Sequence, residues 1–288
     1  GDVYVDNLTL SLKDETSDYV KITESLNDEG TQADITKAAK TVTIADENAD
    51  DSAKALASYL NGLSASGQVL FGHQNDVSKS VNPSAELGDV YDITGSVSGV
   101  FGIDTLALAG SEAGGTSAAD ALEKSVAYSK EAAENGALIT LSTHMPNVTS
   151  EKSKKNSDGS YAFHECDFSE AKDLSNDSVK KILTGGEYNE VFNAYLDIIA
   201  DYANQLGEDG IPVIFRPLHE NTGSWFWWGS SNSVESYKSL YRYTRDYLEA
   251  KGVHNMLYVY SPNGPLTSEE EYLTRYPGDE YVDILAFD

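Results

Sequence analysis

The residues best placed to do chemistry lie in one stretch, Ile211-Pro-Val-Ile-Phe-Arg-Pro-Leu-His-Glu-Asn-Thr-Gly-Ser-Trp-Phe-Trp-Trp-Gly229. An apolar run passes directly into Arg216, His219 and Glu220, and Trp225, Phe226, Trp227 and Trp228 follow within eight residues of the glutamate. Aromatic walls of low dielectric disfavour an ionised carboxyl group, so Glu220 is expected to titrate in the working range of a general acid. A protonated carboxyl beside flat indole faces is what the departure of a glycosidic oxygen requires. The competing reading makes His219 and Glu220 an internal ion pair and the aromatics a hydrocarbon plug. Polar clusters at strand ends mark sites in α/β folds, which favours the first reading. A zinc-peptidase reading fails, because HExxH needs a second histidine four residues after His219 and that position is Gly223.

Such a constellation needs a scaffold, and from about Asp51 short apolar runs alternate with amphipathic ones. Residues 68–73, 97–104, 137–142, 211–216, 256–260 and 282–287 have the length and composition of buried parallel strands. Between them, Ala119, Leu122, Val126 and Ala133 form a helical stripe that ends at Gly136. A second stripe joins Val191, Tyr195, Ile198, Ile199, Tyr202 and Leu206 ahead of Gly207. A third runs through Tyr237, Leu240, Tyr241, Thr244, Tyr247 and Leu248 to Gly252, with Asn232 and Glu235 spaced as a capping box. This order predicts a parallel α/β sheet with right-handed crossovers.

Polar residues gather at the carboxyl ends of the strands: His73, Asp104, His144, Arg216, His219, Glu220, Asn263 and Asp288. Contributions from so many strands fit a (β/α)8 TIM barrel, whose sites lie at that face, and no GxGxxG turn supports a dinucleotide fold. The barrel is expected to be incomplete, with about six of its eight strands present. Residues 147–186 are polar, and a loop of that length after a strand end is expected to overhang the cleft.

Composition narrows the partners. Twenty basic against 47 acidic residues give a net charge of −27, which repels phosphate backbones and anionic membranes. No nucleic acid and no membrane insertion are therefore expected. Eighteen Tyr and three Trp in an acidic chain suit a secreted protein that meets a neutral ligand by stacking. The single Cys166 forms no internal disulfide, and no His/Cys spacing reads as a metal site.

The stretch from Arg216 to Gly229 closely resembles the acid/base motif of glycoside hydrolase family 26, whose members are mostly endo-β-1,4-mannanases. Leu70-Phe-Gly-His-Gln74, Ser142-Thr-His-Met-Pro-Asn147 and Asp283-Ile-Leu-Ala-Phe-Asp288 resemble that family's first-, third- and sixth-strand motifs. The resemblance covers about residues 51–288. It implies that Glu220 is the general acid/base of a retaining mechanism and that Trp225 is an aromatic wall. It further implies that His144 and His219 hold sugar hydroxyls, and that His73 and Arg216 belong to the frame around the catalytic carboxylates. Phe226, Trp227 and Trp228 are expected to help stack on sugar faces. The implied partner is a β-mannan-type polysaccharide (mannan, galactomannan or glucomannan), met by a monomer within a multimodular, extracellular bacterial parent. No cofactor is implied.

The family's nucleophile, a Glu at the end of strand seven, has no counterpart here, and neither Asp104 nor Asp288 has flanks resembling its motif. A retaining pair stands roughly 5 to 5.5 Å apart, so half of the pair is expected beyond Asp288 and the chain alone is expected to be inactive. Two alternatives accompany this reading: a β-1,3-xylanase or mixed-linkage β-glucanase of the same family, and a non-catalytic polysaccharide-binding protein. Upstream, residues 1–12 read as the last strand of a preceding β-sandwich module, the run Val3-Tyr-Val-Asp-Asn-Leu-Thr-Leu10 resembling the closing strand of carbohydrate-binding modules, and residues 13–50 as an acidic linker or surface segment.

Overall fold

The computed structural model describes residues 42–66, 68–82, 84, 87–112, 118–149, 153, 155–165 and 176–288. The proposed upstream strand at 1–12 and most of the linker lie outside these residues, as does Cys166.

Six strands form one sheet in the order of the sequence, every neighbouring pair parallel: β1 (Gly72–Gln74), β2 (Val100–Asp104), β3 (Leu138–Ser142), β4 (Val213–Arg216), β5 (Met256–Tyr260) and β6 (Ile284–Leu285). The sheet is open between β1 and β6, an incomplete (β/α)8 barrel. The helices are α1 (Asp51–Ser66), α2 (Asp89–Thr94), α3 (Thr105–Leu108), α4 (Ala118–Glu134), α5 (Asn176–Ile182), α6 (Asn189–Gly207), α7 (Val234–Ala250) and α8 (Glu269–Leu273).

Strand alternation sorts the side chains onto two faces. Phe101, Ile103, Ile139, Leu141, Val213, Phe215, Met256 and Tyr258 share the larger core with residues of α4, α6 and α7. Each such large apolar side chain contributes about 1.5–3 kcal/mol on burial. On the opposite, inner face, Leu138, Ile214, Leu257 and Ile284 join a smaller cluster with Ala53, Leu56 and Ala57 of α1. The inner face is thus apolar at its amino end and polar at its carboxyl end, which positions the site.

Two local expectations are corrected. Helix α7 is capped by Ser233, whose hydroxyl accepts from Ser236 N, while Asn232 is buried and donates its amide to Trp227 O at 2.6 Å. The spacing suggested Asn232 because Asn and Ser are both good caps and stand side by side. Residues 42–50 are not linker-like: Val42, Ile44 and Ala49 pack in the smaller cluster, Asp46 is buried against His254 at 2.8 Å, and Arg245 holds Ala45 O. The described parts of 147–186, whose expected place over the cleft is not settled by them, pack against the amino-terminal half of α6 and near the loop after β2. Tyr161 stacks on Phe163, which meets the Tyr195 ring of α6 edge-on at 5.1 Å, and Val179 and Ile182 of α5 are buried.

Candidate active site

Register places Asp104 of β2, Ser142 of β3 and Arg216 of β4 in one row across the carboxyl end of the inner face. Asp104 is almost fully buried and receives four donors. Its Oδ1 takes the N–H groups of Leu106 and His144, each at 3.0 Å, and its Oδ2 takes Ser142 Oγ at 2.5 Å and His144 Nδ1 at 2.9 Å. Burial pushes the Asp104 carboxyl up, but His144, Ser142 and Leu106 outweigh it and hold the group below the usual carboxylate value. Burial likewise works against a charged His144, yet the hydrogen bond and charge of Asp104 win and raise it above the usual histidine value.

His219 differs. It is buried, its ring lies 4.8 Å from that of His144 in an edge-on contact, and Phe226 stands 5.4 Å away. Burial, then the positive charges of Arg216 and His144, push it down to about 3, so His219 is neutral at any ordinary pH. Two adjacent imidazoles thus have opposite biases. One is charge-stabilised, and the other is a neutral hydrogen-bonding group suited to a hydroxyl. Arg216 donates to Asp288 Oδ2, which also accepts Ser261 Oγ at 2.9 Å. Arg216 and Asp288 therefore brace β4 against the end of β6.

Glu220 sits half-buried two residues beyond Leu218, and both have left-handed backbone, φ 51° and φ 50°. Its Oε2 accepts Trp225 Nε1 at 2.6 Å. The Trp225 indole is 49% exposed and lies against Gly223, where an added Cβ would come within 2.4 Å of the ring. Glycine there lets the plate lie flat beside the carboxyl. Phe226, buried, stacks on Trp228 at 4.4 Å and presents its edge to His144 at 5.3 Å.

Other expected site residues stand elsewhere. Trp227 and Trp228 are 2% and 0% exposed, and their indoles donate to Met145 O and His219 O. They have no free face for a sugar: both are structural backing for the cleft, drawn inward because each N–H found a buried carbonyl. His73 is in register with Phe101, so it points to the helix side, and its Nδ1 pairs with the buried Asp76 at 2.9 Å. It does not join the row on the inner face. Residues whose part the sequence reading missed include Thr143, Ser261 and Tyr237, which hold the backbone of Leu218 and Glu220. A small hydroxyl after a strand and a tyrosine inside a helical stripe give no signal of such a role.

Among the described residues one group of three side chains could gather around a metal ion: Asp46, Glu249 and His254, with ligand atoms within 4.8 Å of one another. It lies at the amino end of β5, opposite the cleft, where Asp46 and His254 tie the first described residues to the sheet.

A parallel sheet with polar side chains at its carboxyl end and a glutamate held by a half-exposed indole fits the class of barrel glycoside hydrolases. The chain belongs to Glycosyl hydrolase family 26, which matches residues 45–288 and so takes in the packed segment before α1. It is 41% identical over 256 residues to a mannan endo-1,4-beta-mannosidase of Bifidobacterium adolescentis, a match covering 86% of this chain and 24% of that protein. Among solved structures, it is similar to the catalytic domain of a GH26 endo-beta-1,4-mannanase of Bacillus sp. JAMB-750. That match has a TM-score of 0.76 at 38% identity and covers 88% of this chain and 65% of that one. An endo-beta-1,4-mannanase double mutant of Cellulomonas fimi gives 0.75 at 36%, covering 86% and 54%. The chain thus spans about a quarter of the length of the Bifidobacterium relative.

Proposed function

We propose that the whole protein carrying this chain is an extracellular enzyme that cleaves internal β-1,4-mannosidic bonds. The observation that carries this reading is Glu220 at the exit of β4, held by the Trp225 N–H at 2.6 Å beside a half-exposed indole. The names borne by the relatives support mannan as the polymer. Among the described residues, no helix is long and apolar enough to cross a membrane.

In this reading Glu220 gives its proton to the departing glycosidic oxygen. It then takes one from water once a second carboxylate, roughly 5 to 5.5 Å away, has formed the glycosyl intermediate. Asp104 and Asp288 are not assigned as that second group, because neither has flanks resembling the family's nucleophile motif; they accept from His144 and Arg216 respectively. Trp225 supplies a sugar platform, while His144 and His219 hold hydroxyls.

A second reading has its own support, for the chain is 32% identical over 114 residues to endoglucanase H of Acetivibrio thermocellus. Release of reducing ends from mannan, mixed-linkage glucan and xylan separates the two. For the acid role the test is Glu220→Ala in the whole protein. Turnover of mannan should fall about 10²–10⁴-fold, and turnover of aryl glycosides with good leaving groups far less. Equal losses on both substrates would remove Glu220 from the acid role.

A further inference from the structure

At the amino end of β5, opposite the cleft, three parts of the chain bring metal-ligating groups together. Asp46 comes from the segment ahead of α1, Glu249 from the last turn of α7, and His254 from the turn between α7 and β5. Their ligand atoms lie within 4.8 Å of one another, and His254 Nδ1 stands 2.8 Å from Asp46 Oδ2. On a tetrahedral zinc ion, bonds of about 2.0–2.2 Å set ligand atoms about 3.4 Å apart. Asp46 is 4% exposed and takes Asn48 N on its Oδ1 at 2.8 Å, which makes it the fixed member. Glu249 and His254 are half-buried, so their side chains can turn to close the set and an ion can enter from solvent.

Two independent observations point to a ligand there. The first is an orphaned polar atom: the Tyr258 hydroxyl is buried and has no hydrogen-bond partner among the described residues. Arg245, Asp46 and Glu249 are among the charges that act on it. A buried hydroxyl is costly to leave unpaired. An ion with three protein ligands keeps a water in its fourth position, and that water can donate to the Tyr258 oxygen. The second observation is charge. Asp46, Glu249 and Asp283 gather near Arg245, whose Nη2 is 3.6 Å from Glu249 Oε2 and donates to Ala45 O. One guanidinium against three carboxylates leaves two negative charges to balance, the charge of one divalent ion. Asp283 is spent on other donors, its two oxygens taking Ala45 N at 2.6 Å and Tyr258 N at 2.7 Å. An imidazole with two carboxylates suits zinc rather than calcium, which takes oxygen ligands.

We propose that Asp46, Glu249 and His254 bind a divalent ion of the zinc type, which staples the segment before α1 to the end of α7. The ion takes no part in the chemistry of Glu220. It holds residues 42–50 in place, where Val42 and Ile44 pack against the inner face.

The test titrates zinc chloride into the untagged, chelator-treated whole protein by calorimetry, beside Glu249→Gln and His254→Ala, and follows amide exchange over 42–50. Wild type should bind one ion more than His254→Ala. Glu249→Gln should weaken that site at least about 10-fold, since even the outer partners of metal ligands are worth that much. Zinc at about 100 times its Kd should slow exchange over 42–50 by up to about 100-fold in wild type and leave the rate in His254→Ala unchanged. Calcium chloride should produce neither response. Equal stoichiometry and affinity in all three proteins, zinc binding that does not slow exchange over 42–50, or an equal response to calcium overturns the proposal.

Discussion

Asp104 is the hub on which the imidazole side of the cleft depends, and its removal has a calculable effect. Asp104→Ala strips an acceptor from four donors: Leu106 N, His144 N, His144 Nδ1 and Ser142 Oγ. A buried donor left unpaired costs about 1–3 kcal/mol. The partly exposed His144 ring can turn to water, so the two backbone N–H groups and the buried Ser142 hydroxyl dominate and the expected loss is about 3–6 kcal/mol. Asp104→Asn keeps the shape and the Oδ1 acceptor, and should lose about 1–2 kcal/mol at high pH. The pH dependence follows from the directions of the two shifts. His144 is raised in the folded state, so its contribution is complete below the ordinary histidine value and vanishes as pH rises through the folded value. Asp104 is lowered, so its contribution is present above the ordinary carboxylate value and vanishes as pH falls through the folded value. The gap between wild type and Asp104→Asn should therefore be widest between about pH 4 and 6 and narrow above that. Urea unfolding followed by tryptophan fluorescence at three pH values measures it. An alanine variant within about 1 kcal/mol of wild type, or an asparagine gap that does not change with pH, would refute the reasoning.

The imidazoles should part company in an NMR titration: His144 with an inflection above the ordinary value, and His219 with none between pH 5 and 8. An inflection of His219 near the ordinary value of about 6.5 contradicts its burial. Trp227→Phe and Trp228→Phe should each lower stability by about 1–2 kcal/mol through an orphaned carbonyl. Because neither indole has an exposed face, direct stacking on sugar should not change; a lost sugar–indole contact traced to either ring by saturation-transfer NMR would return it to the cleft surface. Asp46→Ala should cost about 2 kcal/mol, having lost Asn48 N and His254 Nδ1, and should speed amide exchange over 42–50. Unchanged exchange there would mean that the apolar contacts of Val42 and Ile44 alone hold the segment. Thr143→Val, which removes the acceptor of Leu218 N, should cost about 1–3 kcal/mol and also weaken oligosaccharide binding, because the Glu220 backbone would shift. A stability loss with unchanged binding would separate the two.

The sheet was legible because a buried parallel strand is apolar at nearly every position and each run stood between two helical stripes. The strands proved shorter than the runs, since apolar residues begin before the first ladder residue, as at Val97 and Ile211. Glu220, Trp225 and His144 stood out as polar and aromatic types at strand exits, and the fold brings them to the carboxyl end of the sheet. His73 could not be oriented: β1 has only three residues, and one step of register reverses its side. Trp227 and Trp228 could not be told from Trp225, because their loop has no periodicity. Which indole goes inward depends on which N–H meets a carbonyl, and that is a tertiary fact. The packing of 42–50 was hidden by its acidity, since the long-range partner of the buried Asp46 is the distant His254.

The tryptophan-rich stretch divides its aromatics between an exposed indole at Glu220 and a buried plug, and the two are mechanically linked. Left-handed backbone at Leu218 and Glu220 costs on the order of 1–3 kcal/mol per residue and persists only where the surroundings over-determine it. Four contacts from four elements do so. Thr143 Oγ1 accepts Leu218 N, Tyr237 of α7 donates to Leu218 O, Trp228 donates to His219 O, and Ser261 O accepts Glu220 N. The kink sends three successive side chains to three places: Leu218 into the core, His219 against Phe226 and His144, and Glu220 to Trp225. A regular strand would alternate two sides and could not do this. The buried Trp228 thus acts on the carboxyl without touching a ligand, because it holds the carbonyl just before Glu220, and the plug is what gives the wall its geometry.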